Sequence, residues 1–168
     1  MSDSARLNFV RQQGFKDAGP SACESQFPAL MFQPKVLGAL VLIGLISKSG
    51  VLFVILSAVL WWNVLNPALN PFDALYNRLV AKPKGLALLT PAPAPRRFAQ
   101  GMAASFMVSI GVFLLVGWHT AAIILEVFLV VALSALLFGK FCLGSYIYHL
   151  IRGDAAFARR TLPWTRAE

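Results

Sequence analysis

Residues 98–118, FAQGMAASFMVSIGVFLLVGW, and 121–138, AAIILEVFLVVALSALLF, decide how this chain is read. Each is close to the roughly 20 apolar residues that a helix rising 1.5 Å per residue needs to cross a hydrocarbon core of about 30 Å. Only Glu126 among their residues carries a charge. Such runs cannot be dressed by water, and a backbone in lipid must satisfy its own hydrogen bonds, which a helix does. The short connection Gly117-Trp118-His119-Thr120 makes the two runs a helical hairpin. The helical pattern of the second continues through Lys140 and KFCLGSYIYHLI to Ile151, so the last helix is expected to project past the bilayer at its C-terminal end.

Upstream, FPALMFQPKVLGALVLIGLI spans residues 27–46 and is interrupted by Gln33, Pro34 and Lys35. Pro34 either starts or kinks a helix, and the Lys35 stem can snorkel to headgroups. Ser47-Lys48-Ser49-Gly50 then turns the chain into VLFVILSAVLWWNVL, which ends at Leu65. This is a second hairpin. Its arms, counted from Pro34, are only about 13 to 16 residues, or roughly 20 to 24 Å, so a re-entrant hairpin is an alternative to two full spans. Trp61 and Trp62 suit an interfacial aromatic belt and favour full spans.

Residues 66–97 form the one long polar connection. Asn70 is suited to cap a helix with Pro71 at its first position, and Phe72, Leu75, Tyr76 and Leu79 share one helical face. The expectation is a short interfacial helix over residues 71–81, with Arg78, Lys82, Lys84, Arg96 and Arg97 as candidate contacts to anionic headgroups.

Composition agrees with a bilayer environment. Of 168 residues 58% are hydrophobic and 13% charged, with a formal net charge of +8. The basic residues lie between apolar runs rather than along one solvated face, which argues against nucleic acid as a partner. If the N-terminal segment, the middle loop and the tail share one side, that side holds every Lys and Arg except Lys48. The positive-inside rule then places both termini in the cytoplasm and favours an even number of spans. The expected architecture is therefore an all-α, polytopic four-helix transmembrane bundle of two hairpins. Residues 1–26 form a cytoplasmic segment without a secretory signal core. Residues 27–151 form a single membrane domain with spans at 28–46, 50–65, 98–118 and 121–140, and residues 152–168 form a cytoplasmic tail.

Candidate chemistry is sparse. Glu126 is the one acidic residue inside an apolar run, and an intramembrane carboxyl is a functional candidate by default. Its place near the start of the fourth run equally allows pairing with Lys48 or His119, and no deeper ionisable groups continue a proton relay. Gly101, Ser105 and Ser109, spaced by four, make a small-residue stripe suited to close helix packing. Cys142 and Cys23 are too few for a disulfide framework, and no Cys/His cluster has metal-ligand spacing. Position 145, where a second thiol would make a Cys-x-x-Cys pair, is serine, so free thiols are expected. His119 and His149 are isolated polar residues. No cofactor is expected, although aromatics such as Phe106, Phe113 and Phe128 would suit a lipid, quinone or pigment at the periphery.

PAPRRFAQGM before the third run, the preceding NRLVAKPKG, and FGKFCLGSYIY after the fourth resemble the bacterial membrane family called domain of unknown function 4395, over about residues 27–153. The resemblance implies a compact helical domain in the bacterial cytoplasmic membrane. In that family the last motif commonly reads FCLGC, and thiol or sulfur redox roles are suspected. Cys142 corresponds to the first cysteine and Ser145 stands in the place of the second. The leading expectation is a non-catalytic membrane protein, an accessory or structural subunit packed against a larger, bioenergetic complex, with the lipid bilayer and other membrane subunits as partners. The alternatives are a thiol-redox or sulfur-handling protein using Cys142, with Cys23 as partner, and a small transporter or channel using Glu126.

Overall fold

The computed structural model describes residues 3–86 and 88–166, and the regular structure among them is helical. The α-helices are α1 (Asp3–Gln12), α2 (Pro20–Ser47), α3 (Gly50–Leu65), α4 (Pro71–Tyr76), α5 (Ala94–Leu115), α6 (His119–Leu137), α7 (Leu143–Ile151) and α8 (Ala155–Arg160). Three of these are long and apolar enough to cross a membrane: α2 from Gln26 to Ser47, α5 and α6. The fourth apolar helix, α3, has 16 residues, a rise of only about 24 Å.

Pro34 does not start or break the first long helix. α2 begins at Pro20 and runs through both Pro28 and Pro34. At its far end Lys48 takes a left-handed conformation (φ +46°), and its N–H donates to the carbonyls of Gly44 and Leu45. The Ser49 side chain then accepts from the Leu52 N–H at 3.2 Å and caps α3. Both orphan ends are satisfied within three residues, which makes the reversal tight.

The α3–α5 contact sits at the centre of the bundle. A Cβ placed on Gly111 would come within 2.7 Å of the Gly50 carbonyl, and one on Gly50 within 2.7 Å of the Gly111 carbonyl. Glycine at both positions is thus what lets the two backbones touch. Ser57 donates its hydroxyl to the Ala104 carbonyl at 2.8 Å in the same interface. Around this seam Leu37 and Val41 of α2, Phe53, Leu56 and Leu60 of α3, Met107 and Ile110 of α5, and Leu129 of α6 form the main core.

The middle loop is helical over 71–81 as its sequence indicates, with α4 passing into a π-turn at Asn77–Ala81. Asn70 caps it, its side chain accepting from the Phe72 N–H at 3.0 Å. The helix is only partly a surface element. Leu75 and Leu79 are exposed, but Tyr76 is buried against Phe32, with ring centroids 5.6 Å apart.

The last helix differs from expectation. It does not continue from residue 121 to 151: α6 ends at Leu137, and the chain reverses through Gly139 and Lys140, the latter at φ +55°. The Lys140 ammonium donates to the Leu137 carbonyl, holding the end of α6. α7 then returns to pack against α5, where a Cβ on Gly144 would lie 2.7 Å from Cα of Ala99. The helical periodicity was real on both sides of the break, but close packing on α5 replaced a projecting extension.

The terminal segments are also more ordered than their polar composition indicates. α1 lies on α2 with Phe9 and Val10 fully buried. The Asn8 side-chain amide donates to the carbonyls of Leu162 and Thr165, tying the beginning of the chain to its end. His149 on α7 donates from Nε2 to the Gln12 carbonyl at 3.1 Å and packs on Phe157 of α8.

Candidate functional site

At the end of the bundle where α5 begins and α6 finishes, five buried polar side chains from three parts of the chain meet. Arg96, near the start of α5, makes a two-pronged ion pair with Asp73 of α4, at 2.7 and 3.1 Å. A second bond from the guanidinium reaches Gln33 Oε1 of α2 at 2.9 Å. The same oxygen accepts from Gln100 Nε2 at 2.9 Å and from Asn70 Nδ2 at 3.4 Å. Arg96 is 5% exposed and Asp73 7%, so this pair is shielded in a way that surface pairs are not. Charge neutrality and the shared acceptor explain how so much polarity is tolerated at the edge of an apolar bundle.

This network corrects one expectation about the headgroup contacts. Arg96 is not turned toward a lipid surface; Asp73, the lone acid of residues 66–97, draws it inward. Arg97 is half-buried and donates from Nε to the Val64 carbonyl at 2.9 Å, closing the end of α3. Arg78, Lys82 and Lys84 are exposed.

Beneath the network lies a pocket of about 210 Å³. Its walls are Leu30, Pro34 and Leu37 of α2, Ala99, Ala103, Phe106 and Met107 of α5, and Phe128, Leu129, Ala132, Leu133 and Leu136 of α6. Gln33, Arg96 and Gln100 form its polar end together with Gln13, and Cys142, Leu143 and Gly144 bound another side. Phe128 and Leu143 are exposed and stand at its rim. The pocket exists because α2 and α6 meet over a short stretch while α5 packs tightly on α3, leaving α5 uncovered between them. An apolar cavity with a few convergent polar groups at one end is the usual form of a small-molecule site.

Cys142 is 7% exposed, and its N–H donates to Gln12 Oε1 at 2.9 Å. The Ser145 hydroxyl lies 3.4 Å from its sulfur and 3.3 Å from the Pro95 carbonyl, and its single proton serves one of them at a time. Cys23 is buried in the same apolar cluster as Cys142, and both thiols are free. Burial pushes the Cys23 thiol above its ordinary pKa, keeping it protonated, a state of low nucleophilicity.

The remaining candidates lie elsewhere. Glu126 is half-buried on α6, outside the pocket, and makes no ion pair with Lys48 or His119. Of Gly101, Ser105 and Ser109, Gly101 faces α3, where a Cβ would lie 3.8 Å from Val64 and 3.9 Å from Trp61, and Ser109 is half-buried. Ser105 is exposed and each serine hydroxyl turns back to its own helix, Ser105 to the Gly101 carbonyl and Ser109 to the Ser105 carbonyl, both at 2.9 Å. The close approach instead uses Gly111, two residues further along. Among the described residues no group of His, Cys, Asp and Glu side chains could hold a metal ion.

The polar network was not foreseen from the sequence, yet it left a trace there. Gln33 and Gln100 are neutral polar residues set inside otherwise apolar runs, and Asp73 is isolated among basic residues.

No curated protein and no solved structure matches the chain. Residues 28–152, which hold most of the three long helices together with α3, α4, most of the pocket lining and Cys142, match the family described as Domain of unknown function (DUF4395), and the chain belongs to that family.

Proposed function

We propose that this protein is a non-enzymatic, multi-pass protein of the bacterial cytoplasmic membrane that holds a lipophilic small molecule between α2, α5 and α6. In this reading α2, α3, α5 and α6 are four membrane segments, with the short α3 accommodated by local thinning of the bilayer, and both termini face the cytoplasm. The single observation that supports ligand binding is the 210 Å³ pocket, apolar along its walls and polar at one end. An engineered apolar cavity of about 150 Å³ already takes up benzene, so this one has room for a single substituted ring or one chain segment. The test is purification in mild detergent followed by solvent extraction and mass spectrometry. A lipophile recovered at close to one per chain, and lost in Ala132→Phe, which fills the pocket, is expected. Equal recovery from both proteins refutes the reading.

A second reading, an accessory subunit of a larger membrane complex, draws on the outward face of the bundle. Ser105 points away from the chain's own core, and α6 leaves Ile123, Ile124, Val127 and Val131 exposed. Lipid covers such a face as readily as a partner helix does. Stoichiometric co-migration with a large complex on native gels supports it, and migration as a monomer or small homo-oligomer removes it. The thiol-redox alternative rests on Cys142 and Cys23 sharing one buried cluster, and unchanged behaviour of Cys142→Ser removes that.

A further inference from the structure

We propose that Arg6, Lys35 and Lys140 form a seat for the phosphate of an anionic phospholipid, whose acyl chain runs down the exposed face of α2. The three cations come from three separate elements: α1, α2 and the turn between α6 and α7. Phe27 gathers two of them, with the Arg6 guanidinium 5.6 Å and the Lys140 ammonium 5.5 Å from its ring centre. Lys35 joins them where α2 meets the end of α6. A Cβ on Gly38 would lie 3.1 Å from the Leu137 side chain; Lys35 precedes Gly38 by about one turn, as Lys140 follows Leu137. The charged groups whose fields reach the Lys140 ammonium are Lys35 and Arg6, both positive. Among the described residues none of the three makes an ion pair. Arg6 and Lys35 are exposed and Lys140 is half-buried, so the cluster is open on the outside of the bundle. Like charges gathered without a counter-ion repel one another. Lys140 adds a left-handed backbone (φ +55°), uncommon for a residue with a side chain, and such strain clusters at ligand clamps. Its ammonium gives one of three N–H donors to the Leu137 carbonyl. Two remain for an anion, which offsets the repulsion with charge-assisted hydrogen bonds.

What carries the phosphate follows from the surface beside it. Lys35, Ala39, Leu42, Ile43 and Ile46 recur at the spacing of one helical face, and all five are exposed. This stripe is about 16 Å long, and one leaflet of hydrocarbon is about 15 Å thick. A cation cluster at the head of an apolar stripe one leaflet deep matches a phospholipid, with its charge at the top and its chain below. A free phosphate ester has no use for the stripe. The inference rests on α2 and α6 as membrane segments and not on the pocket, since Arg6, Phe27, Lys35 and Lys140 lie outside its lining.

The experiment titrates the full chain in mild detergent with phosphatidylglycerol or phosphatidylcholine of the same acyl chains and counts retained lipid by native mass spectrometry. The wild-type protein is expected to hold phosphatidylglycerol about tenfold more tightly, the scale of one to two cations near an anionic headgroup. Arg6→Gln/Lys35→Gln is expected to remove this preference. Arg152→Gln/Arg159→Gln, which takes away two exposed cations near the C-terminus, is expected to keep it. Equal retention of the two lipids by the wild type overturns the proposal. So does a preference that survives in Arg6→Gln/Lys35→Gln, or one that falls as far in Arg152→Gln/Arg159→Gln, which would reflect net charge alone. Ala132→Phe is expected to retain the preference; its loss there would put the lipid in the pocket and overturn the assignment to the cation cluster. If excess glycerol 3-phosphate displaces the lipid and itself binds with the same dependence on Arg6 and Lys35, the ligand is a free phosphate ester and the lipid assignment is overturned. Should the double variant fail to fold, Lys35→Gln, expected to weaken the preference, and Lys35→Arg, expected to keep it, decide.

Discussion

Removing Asp73 should do more damage than removing any other surface-loop carboxyl in this chain, because it would strand a buried arginine. The guanidinium of Arg96 and the carboxylate of Asp73 are 2.7 Å apart at their closest, with side-chain exposures of 6% and 10%. At an effective dielectric constant near 20 the gross attraction at that distance is about 6 kcal/mol, most of it offset by desolvation of the two ions. The loss on truncating one partner is set by the uncompensated charge left behind, about 3–5 kcal/mol. Asp73→Ala is therefore expected to destabilise the fold by about that amount. Asp73→Asn keeps the shape and one acceptor but leaves Arg96 equally uncompensated, and should fall at the lower end of that range, about 3 kcal/mol. The double variant Asp73→Leu/Arg96→Met, which removes both charges, should return to within about 1 kcal/mol of the wild type. Equilibrium unfolding of the detergent-solubilised protein measures these differences. Trypsin cleavage after Lys84, exposed in the loop beyond α4, reports whether α4 has undocked. A loss below about 1 kcal/mol for Asp73→Ala, or a double variant as unstable as the single, would refute the reasoning.

The tight α3–α5 seam makes a contrasting pair of glycine predictions. Gly111→Ala forces a Cβ to 2.7 Å from the Gly50 carbonyl and should cost about 1–3 kcal/mol, whereas Gly101→Ala, whose nearest neighbour would be 3.8 Å away, should be close to neutral; equal thermal stabilities would contradict the seam. Asn63 on α3 is fully buried with both side-chain polar atoms unpaired, so Asn63→Leu should raise stability by about 1–2 kcal/mol, and a fall in the unfolding midpoint would show that the amide has a partner. Burial, partly offset by the Gln12 backbone bond, pushes the His149 pKa below its ordinary 6.5, with Lys16 lowering it and Asp154 raising it further out. The folded state then binds this proton less readily than the unfolded one, so the contribution of neutral His149 is complete above about pH 6.5 and declines as the pH falls toward the lowered folded value. After division by the intrinsic exchange rate at each pH, protection of the α1 amides should fall between pH 7.5 and 5 in the wild type and much less in His149→Phe; identical pH profiles would exclude His149 as the cause.

Long apolar helices announce themselves because crossing a bilayer demands about 20 residues without charge, and residues 98–118 and 121–138 meet that demand almost without interruption. Their structural counterparts, 94–115 and 119–137, differ by only a few residues at each end. The turn at Ser47–Gly50 was equally plain, since small polar residues between two apolar runs leave few alternatives. The break after α6 was not, because Gly139 and Lys140 lie within a pattern that stays periodic on both sides, while the left-handed Lys140 and the packing of Gly144 on Ala99 that accompany the reversal are tertiary features. α1 was hidden for a different reason: its buried face mixes Phe9 and Val10 with Asn8 and Gln12, so periodicity of apolar residues alone does not reveal it. The candidate site was legible only as anomalies. Pairing of Asp73 with Arg96 across 23 positions and convergence of Gln33 and Gln100 depend on how α2 and α5 are laid side by side, which no local pattern encodes. Cys142 was singled out for its thiol, and its structural place is at the wall of the pocket, in the buried cluster that also holds Cys23.

The central claim, that the bundle keeps an open lipophile site under the Arg96 network, is tested most directly by a crystal structure of the full chain grown from a lipidic mesophase. The account predicts continuous density between α2, α5 and α6, in contact with Leu37, Phe106 and Leu133. A cavity closed by Phe106 or Phe128, with α2 and α6 in contact along its length, would contradict it.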